Sequence, residues 1–277
     1  MFSIIIPTWN NIDYLKLCVA SIAKNSAHAH QIIVHVNDGS DGTLDWVIAN
    51  KLDYTHSPDN IGICKAVNIA AAKATMPYIV YMNDDMYTCP GWDKKIIERI
   101  NELGTDLFLI SATMVEPTDT GNACVVHADY GKDLASFREK ELIENLERLY
   151  CADWNGSAWP PTIVSKKYWD MVGGYSVEYS PGYSSDDDFA MKMWHIGCRY
   201  FFGIGDSLVY HFQAKSTQRI VKNDGRKQFR MKWGINQSTL NKYLIKRGSA
   251  YNGTLPEVPE NIMRKERRRA WFKLLKP

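Results

Sequence analysis

The sequence predicts an α/β chain built on a mostly parallel central sheet flanked by helices. Three observations carry that expectation. Residues 2–6 and 32–36 are short, continuous apolar runs, of the kind that fill a sheet buried on both faces. Between them, residues 13–25 repeat Leu15, Val19 and Ile22 at helical spacing. A third apolar run, residues 78–82, stops abruptly at Asn83-Asp84-Asp85. Strand, helix and strand in that order form a βαβ unit, and open α/β sheets bind ligands beyond the C-terminal ends of their strands.

The remaining elements follow in order. Strands are expected at 2–6, 32–36, 53–56, 78–82 and 107–110, with helices at 12–25, 43–50, 61–74 and 91–103. Pro7-Thr8-Trp9-Asn10 closes the first strand. The second ends in Asn37-Asp38-Gly39-Ser40-Asp41-Gly42-Thr43, where glycines let backbone approach a ligand and Asp38 could accept from a base or a ribose hydroxyl. Residues 111–130 read as irregular, and 134–150 as a charged surface helix. Pro160-Pro161 leads into a strand at 162–164. A helix at 166–172 stops at Gly173-Gly174, and another at 186–196 stops at Gly197. Two strands are expected at 200–202 and 207–211, then basic, mostly helical sequence interrupted at 248–259.

Composition bounds the function. A chain of 277 residues with 45% hydrophobic content can bury a sizeable core. No run is long and apolar enough to cross a bilayer. The N-terminus has no basic start, and Pro7 interrupts its apolar stretch, so no signal peptide is expected and the protein is placed in the cytoplasm. The six cysteines include no CxxC pair, which suits packing better than zinc or a disulfide framework. No GxGxxG follows the first strand, Gly203-Ile204-Gly205 lacks a third glycine, and no GxxxxGK[ST] occurs. Charge is unevenly spread. Residues 1–214 hold 16 Lys and Arg against 27 Asp and Glu, whereas 215–277 hold 17 against 4. A change of role near Lys215 follows, dividing the chain into 1–215 and a basic extension, 216–277.

An ordered series of short motifs makes the reading specific. Ser3-Ile4-Ile5-Ile6-Pro7-Thr8-Trp9-Asn10 is followed by the Asn37–Thr43 loop, Asn60-Ile61-Gly62 with Asn68, and Asn83-Asp84-Asp85 with Pro90-Gly91-Trp92. Asn155-Gly156-Ser157-Ala158, Gly173-Gly174-Tyr175, Asp186-Asp187-Asp188 and Tyr210-His211 come next. Over residues 1–215 this series resembles the family 2 glycosyltransferases of the GT-A fold. Each motif is weak alone; their order is the signal. The resemblance implies a Rossmann-like sheet with a nucleotide-sugar half (1–110) and an acceptor half (111–215).

The resemblance also implies roles. Asp85 aligns with the last acid of the family's DxD motif, with Asn83 in place of the first, and His211 with a late histidine that completes a metal site. The cofactor is then Mn²⁺ or Mg²⁺, hard cations that take such oxygen ligands. From the residues alone the acidic pair could equally be a solvated turn, and a lone His at a strand end is more often structural. Asp186 aligns with the catalytic aspartate, with Ser185 where the family has glutamate. Three carboxylates at a helix start need only one for capping, and their repulsion raises at least one pKa, which suits a general base. With Asp186 as the base, attack comes from the face opposite the leaving group, which implies inversion at the anomeric carbon. Pro7, Thr8, Asn10, Asp38, Asn60, Gly62, Asn83 and Asp84 are expected around base and ribose. Lys65 either reaches a phosphate or is an ordinary exposed helix lysine. Trp154 and Gly156 line the sugar or acceptor site, unless Trp154 is core. Asp187 and Asp188 bind acceptor or only cap the helix.

The expected activity is therefore transfer from a nucleotide-diphosphate sugar, UDP favoured, to a hydroxyl of a glycan or lipid-linked acceptor. Two other classes compete. A sugar-phosphate nucleotidyltransferase would want a Gly-rich basic loop after the first strand, which Pro7-Thr8-Trp9-Asn10 does not supply. A non-catalytic nucleotide-sugar binder is kept open by Asn83 and Ser185. In the tail, Arg264-Lys265-Glu266-Arg267-Arg268-Arg269 precedes Ala270-Trp271-Phe272-Lys273-Leu274-Leu275. This suits peripheral membrane contact, a helix packed on the acidic domain, or a solvated end. Nucleic acid is disfavoured, because no binding motif accompanies the charge.

Overall fold

A computed structural model describes residues 1–214 and 223–275. The change of role expected near Lys215 therefore falls outside the described residues. The first half runs β1 (Phe2–Trp9), α1 (Ile12–Asn25), β2 (Gln31–Asn37), α2 (Thr43–Ala49), β3 (Asp53–Ser57), α3 (Ile63–Ala71) and β4 (Tyr78–Tyr81). The chain continues with β5 (Met86–Thr88), α4 (Trp92–Leu103), β6 (Leu109–Glu116), β7 (Val125–His127), α5 (Glu139–Glu144) and β8 (Trp154–Asn155). Then come β9 (Thr162–Ser165), α6 (Lys166–Val172), α7 (Ser185–His195) and β10 (Phe201–His211). Past 223 are α8 (Gly225–Trp233), α9 (Gln237–Thr239) with a π-helical turn, and α10 (Glu260–Leu274).

The strands form one sheet in the order β3-β2-β1-β4-β9-β6-β10-β5, with β7 beside β6 and β8 beside β10. β3, β2, β1 and β4 run parallel, as do β6 and β10; β9 and β5 are antiparallel to their neighbours. Side chains alternate between faces. Ile5, Ile33 and Ile79 pack under α3 and α7, whereas Ile4, Ile6, Val34, Val36 and Val80 pack against α1 and α4. Burial on both faces explains why these strands read as unbroken apolar runs. Each fully buried Ile or Val contributes about 2 kcal/mol.

The topology positions the site. β1 is joined through α1 to β2 on one side, while β4 lies on its other side. Between β1 and β4 the connections diverge and open a crevice at the C-terminal strand ends, where ligands bind in such sheets. Past 223, Phe229, Leu240, Leu244 and Ile245 join the same core as Phe189 and Met193.

Three expectations are corrected. Residues 111–130 are irregular only in part, because β6 continues to Glu116, buried throughout, and β7 spans Val125–His127; Ser111 and Thr113 broke the apolar pattern of β6. The helix expected over 134–150 is confined to Glu139–Glu144 and a 3₁₀ turn. A turn in which Asp133 accepts from the Ser136 backbone N–H at 2.9 Å occupies the start of that stretch. The two strands at 200–202 and 207–211 are one strand, β10, bulged between Ile204 and Leu208. Gly205 sits there because a Cβ would lie 1.9 Å from the Cys151 carbonyl oxygen. β5 was not anticipated at all.

Candidate active site

A cleft of about 1020 Å³ opens at the C-terminal edge of the sheet. Pro7, Thr8 and Trp9 of β1, Asn37 of β2 and Asn83-Asp84-Asp85 beyond β4 form one wall; Asp186 of α7 and His211 at the end of β10 form others. The Thr8 hydroxyl donates to Asp84 Oδ2 at 2.6 Å, joining β1 to β4 across the crevice. Asp84 is thereby turned toward β1, and Asp85 is left facing β10.

Asp85 and His211 face each other, with His211 Nε2 3.4 Å from Asp85 Oδ2. Asp85 Oδ2 also accepts from the Ala214 backbone N–H at 2.7 Å. Behind His211, Glu116 Oε1 lies 2.7 Å from Nδ1, and Glu116 Oε2 accepts from Gln213 at 2.8 Å. Burial by itself would lower the His211 pKa, but the Asp85 and Glu116 carboxylates outweigh it and push the value up to about 10. Glu116 fixes the ring so that Nε2 points at Asp85, the carboxylate–histidine arrangement that orients metal ligands. Among the described residues no group of three or more His, Cys, Asp and Glu side chains is arranged to hold a metal. Two protein ligands nevertheless fit Mg²⁺ or Mn²⁺, which take one or two side chains and complete their shell with substrate phosphates and water.

Across the cleft, the Tyr175 hydroxyl donates to Asp186 Oδ1 at 2.8 Å. Burial raises the Asp186 pKa to about 7, with Asp187 adding to the rise and Tyr175 and Arg247 opposing it. None of the three aspartates caps α7; its N-cap is Ser184, at φ 74°, without a side-chain cap bond. A carboxyl that titrates near neutrality on a cleft wall is suited to taking a proton.

Comparison with known proteins completes the picture. The family described as "Glycosyl transferase family 2" matches residues 3–142. The chain belongs to that family. This family 2 glycosyltransferase is 23% identical over 231 residues to the glycosyltransferase GlyG of Streptococcus pneumoniae serotype 4, covering 79% of this chain and 73% of GlyG. Its fold resembles that of S. aureus TarS residues 1–349 in complex with UDP, with TM-score 0.55 and 18% identity over 76% of this chain. It also resembles GalNAc-T7 with UDP, GalNAc and Mn²⁺, with TM-score 0.57 and 14% identity over 81% of this chain. The chain spans 59% of that TarS structure and 44% of GalNAc-T7. The central sheet flanked by helices is the GT-A fold expected from the sequence.

Eight expected residues line the cleft of this glycosyltransferase: Pro7, Thr8, Asn60, Asn83, Asp84, Asp85, Asp186 and His211. Asn10 and Asp38 lie one residue beyond the lining residues Trp9 and Asn37. Both hold positive φ, 47° and 62°, and Asn10 Nδ2 donates to Asp38 Oδ2 at 2.8 Å. Asn10 Oδ1 accepts from the Gly39 backbone N–H, so one amide clamps the two loops together. Asn60 Oδ1 accepts from the Gly62 N–H at 2.9 Å; Gly62 has φ 78°, and a Cβ there would approach Pro181 Cα to 3.0 Å.

The other expected residues are placed elsewhere. Lys65 is exposed on α3 and is not part of the cleft lining. Trp154 is core: its Nε1 donates to Thr113 at 2.8 Å and its ring stacks on Trp159 at 5.7 Å. Gly156, at φ 98°, has Arg247 Cα 2.4 Å from where a Cβ would stand. Asp187 accepts from Arg247 at 3.1 Å and Gln237 at 2.8 Å. Asp188 is fully buried and accepts from Trp233 Nε1 at 2.8 Å, with Lys232 Nζ at 2.9 Å. These two aspartates tie α7 to the segment after 223, and neither caps the helix nor lines the cleft.

Sequence reasoning missed Glu116, the Tyr175 hydroxyl and Lys132, an exposed residue lining the cleft. Glu116 had a signal, because it ends an apolar strand just as Asp84 and Asp85 do. Tyr175 stood in the Gly173-Gly174-Tyr175 motif without a role, and Lys132 had no signal, since only the fold brings it to the cleft.

Proposed function

We propose that this glycosyltransferase moves a sugar, with inversion, from a nucleotide-diphosphate donor to an acceptor hydroxyl, with a divalent cation as cofactor. The observation that carries the reading is Asp186, a carboxyl with its pKa raised to about 7, on the same cleft as Asp84, Asp85 and His211. The GT-A neighbours support a UDP-sugar donor, since TarS is in complex with UDP or UDP-GlcNAc and GalNAc-T7 with UDP.

The base and ribose rest against Pro7, Thr8, Asn37 and Asn60, with Asp38 near the ribose. Asp85 and His211 hold Mn²⁺ or Mg²⁺, which supplies Lewis-acid stabilisation of the diphosphate when bound. Lys132 takes the phosphate role that the sequence offered to Lys65, because it lines the cleft and Lys65 does not. Asp186, ionised, accepts the proton of the acceptor hydroxyl. The freed oxygen forms a bond to the anomeric carbon as the bond to the diphosphate oxygen breaks, its electron pair leaving with the diphosphate. Attack from the face opposite the leaving group inverts the centre. Tyr175 holds the carboxylate in place throughout.

The acceptor is a glycan or a lipid-linked saccharide. In α10, Ala270 and Glu266 are buried while Trp271 and Phe272 are exposed by 56% and 60% among basic residues. This supports interfacial contact with an anionic membrane. Asp186→Asn tests the catalytic assignment. Turnover should fall by about 10²–10⁴-fold while UDP binding survives, and NMR of the wild-type product should show the inverted anomer. Full turnover in the variant, or a retained anomer, contradicts it.

A further inference from the structure

A second pocket, of about 400 Å³, lies on the segment after 223. Arg226 and Arg230 of α8 and Lys273 of α10 line it, and no lining residue is acidic. None of the three cations makes an ion pair with a carboxylate among the described residues. Three buried polar atoms there also lack a hydrogen-bond partner among the described residues: Arg230 Nε, Asn236 Oδ1 and Asn241 Oδ1. Asn236 is only 7% exposed. Leaving a buried polar group unpaired costs about 1–3 kcal/mol. Of the three only Arg230 Nε is a donor; that unpaired donor beside three unneutralised cations describes a cradle for an anion, once both carboxamides turn their N–H groups inward in place of the two unpaired Oδ1 acceptors. Guanidinium groups match the oxygens of a phosphate, and the two asparagine amides can present N–H donors to it.

The pocket adjoins the catalytic cleft. Gln237, on its wall, donates to Asp187 Oδ2 at 2.8 Å, one residue from Asp186. The Arg226 guanidinium lies 5.9 Å from the ring centre of Tyr183, which lines the catalytic cleft. Asp187, the nearest carboxylate along this link, is paired with Arg247 at 3.1 Å and does not oppose an anion.

We propose that this pocket binds a phosphoryl group carried by the acceptor, so that the enzyme selects phosphorylated or phosphate-linked acceptors. The inference rests on the transferase reading for the word acceptor; the site itself does not. The phosphate belongs either to a lipid headgroup or to a soluble phosphorylated saccharide, and both present the same dianionic oxygens.

The test is titration of the full chain, with UDP and Mn²⁺ present at saturation to occupy the catalytic cleft. Two probes are compared: inorganic phosphate, and monomeric short-chain phosphatidic acid. Wild type should bind, and the exposed-residue variants Arg226→Gln and Lys273→Gln should each weaken binding several-fold. Their combination with Arg230→Gln should weaken it at least tenfold, with UDP affinity unchanged. Tighter binding of phosphatidic acid than of phosphate, lost in the same variants, assigns a lipid source; binding of phosphate alone assigns a soluble one. Equal binding by wild type and the Arg226→Gln and Lys273→Gln variants, or no binding of either probe, overturns the proposal. A failure of UDP to bind, with phosphate binding still lost in the variants, would refute the donor assignment and leave the anion site standing.

Discussion

Replacing Asp186 with Asn should make the protein more stable while removing its activity. Burial lifts the Asp186 carboxyl from its ordinary 3.8 to about 7. A group whose folded value lies above its unfolded value holds its proton more tightly in the folded state, so wild type loses stability as pH rises between the two values. At about 1.4 kcal/mol per pH unit, the ionised form carries a destabilisation of about 4 kcal/mol. Solvent reaches the carboxyl at the cleft wall, which reduces the expected figure to about 2 kcal/mol. Asn cannot ionise, yet its carbonyl still accepts from the Tyr175 hydroxyl. Denaturant unfolding of both proteins from pH 4 to pH 8.5 reads the effect. The variant's advantage should be complete above about pH 7.5 and vanish as pH falls to about 4. An advantage that is absent at pH 8, or that does not change with pH, would refute the burial argument.

Three further outcomes follow from the same geometry. Tyr175→Phe removes a hydrogen bond that favours ionised Asp186, so the rising limb of kcat/KM against pH, expected near pH 7, should move up by about one pH unit; a limb that stays or falls contradicts the assignment. Asp188→Ala leaves Trp233 Nε1 without its acceptor and Lys232 with Glu178 as its one remaining carboxylate among the described residues, and should cost about 2 kcal/mol in unfolding experiments, with the KM for acceptor unchanged in the folded fraction. If KM rises without a stability loss, Asp188 touches acceptor after all. Trp271→Ser with Phe272→Ser should reduce sedimentation with anionic vesicles and leave melting temperature within about 1 °C, since both side chains are exposed; unchanged sedimentation removes these residues from membrane contact.

The legible parts of the chain were those in which local pattern and tertiary environment agree. The strands at 2–6, 32–36 and 78–82 are buried on both faces, so continuous apolar runs identified them, and Asp84 and Asp85 marked where they end. Asp186 and His211 came from motif order, not from periodicity. β6 was cut short because Ser111 and Thr113 interrupt its hydrophobicity, although the Thr113 hydroxyl is satisfied by the Ile204 carbonyl at 2.8 Å. The single strand β10 looked like two because Gly203, Gly205 and Asp206 accompany its bulge. Trp154 was left open between cleft and core, and Asp188 was misplaced, for a common reason. An aromatic ring or a carboxylate has the same sequence signature whether it meets a ligand or a buried partner. Their partners, Trp159 and Thr113 for one, Trp233 and Lys232 for the other, are fixed only by the fold. Lys65 was left open between phosphate and solvent, and Lys132 was not singled out, because helix surface and cleft rim cannot be told apart in one dimension.

The central claim is that Asp85 and His211 create a cation-dependent diphosphate site. Thermal unfolding with UDP, in Mn²⁺ or in EDTA, tests it most directly, for wild type, Asp85→Ala and His211→Ala. A ligand at one hundred times its Kd stabilises the native state by about 2.7 kcal/mol. For a chain of this size that is a rise in Tm on the order of 5 °C. The account predicts that rise for wild type in Mn²⁺, little of it in EDTA, and its loss in both variants. An equal rise in EDTA, or one that survives both substitutions, would contradict it.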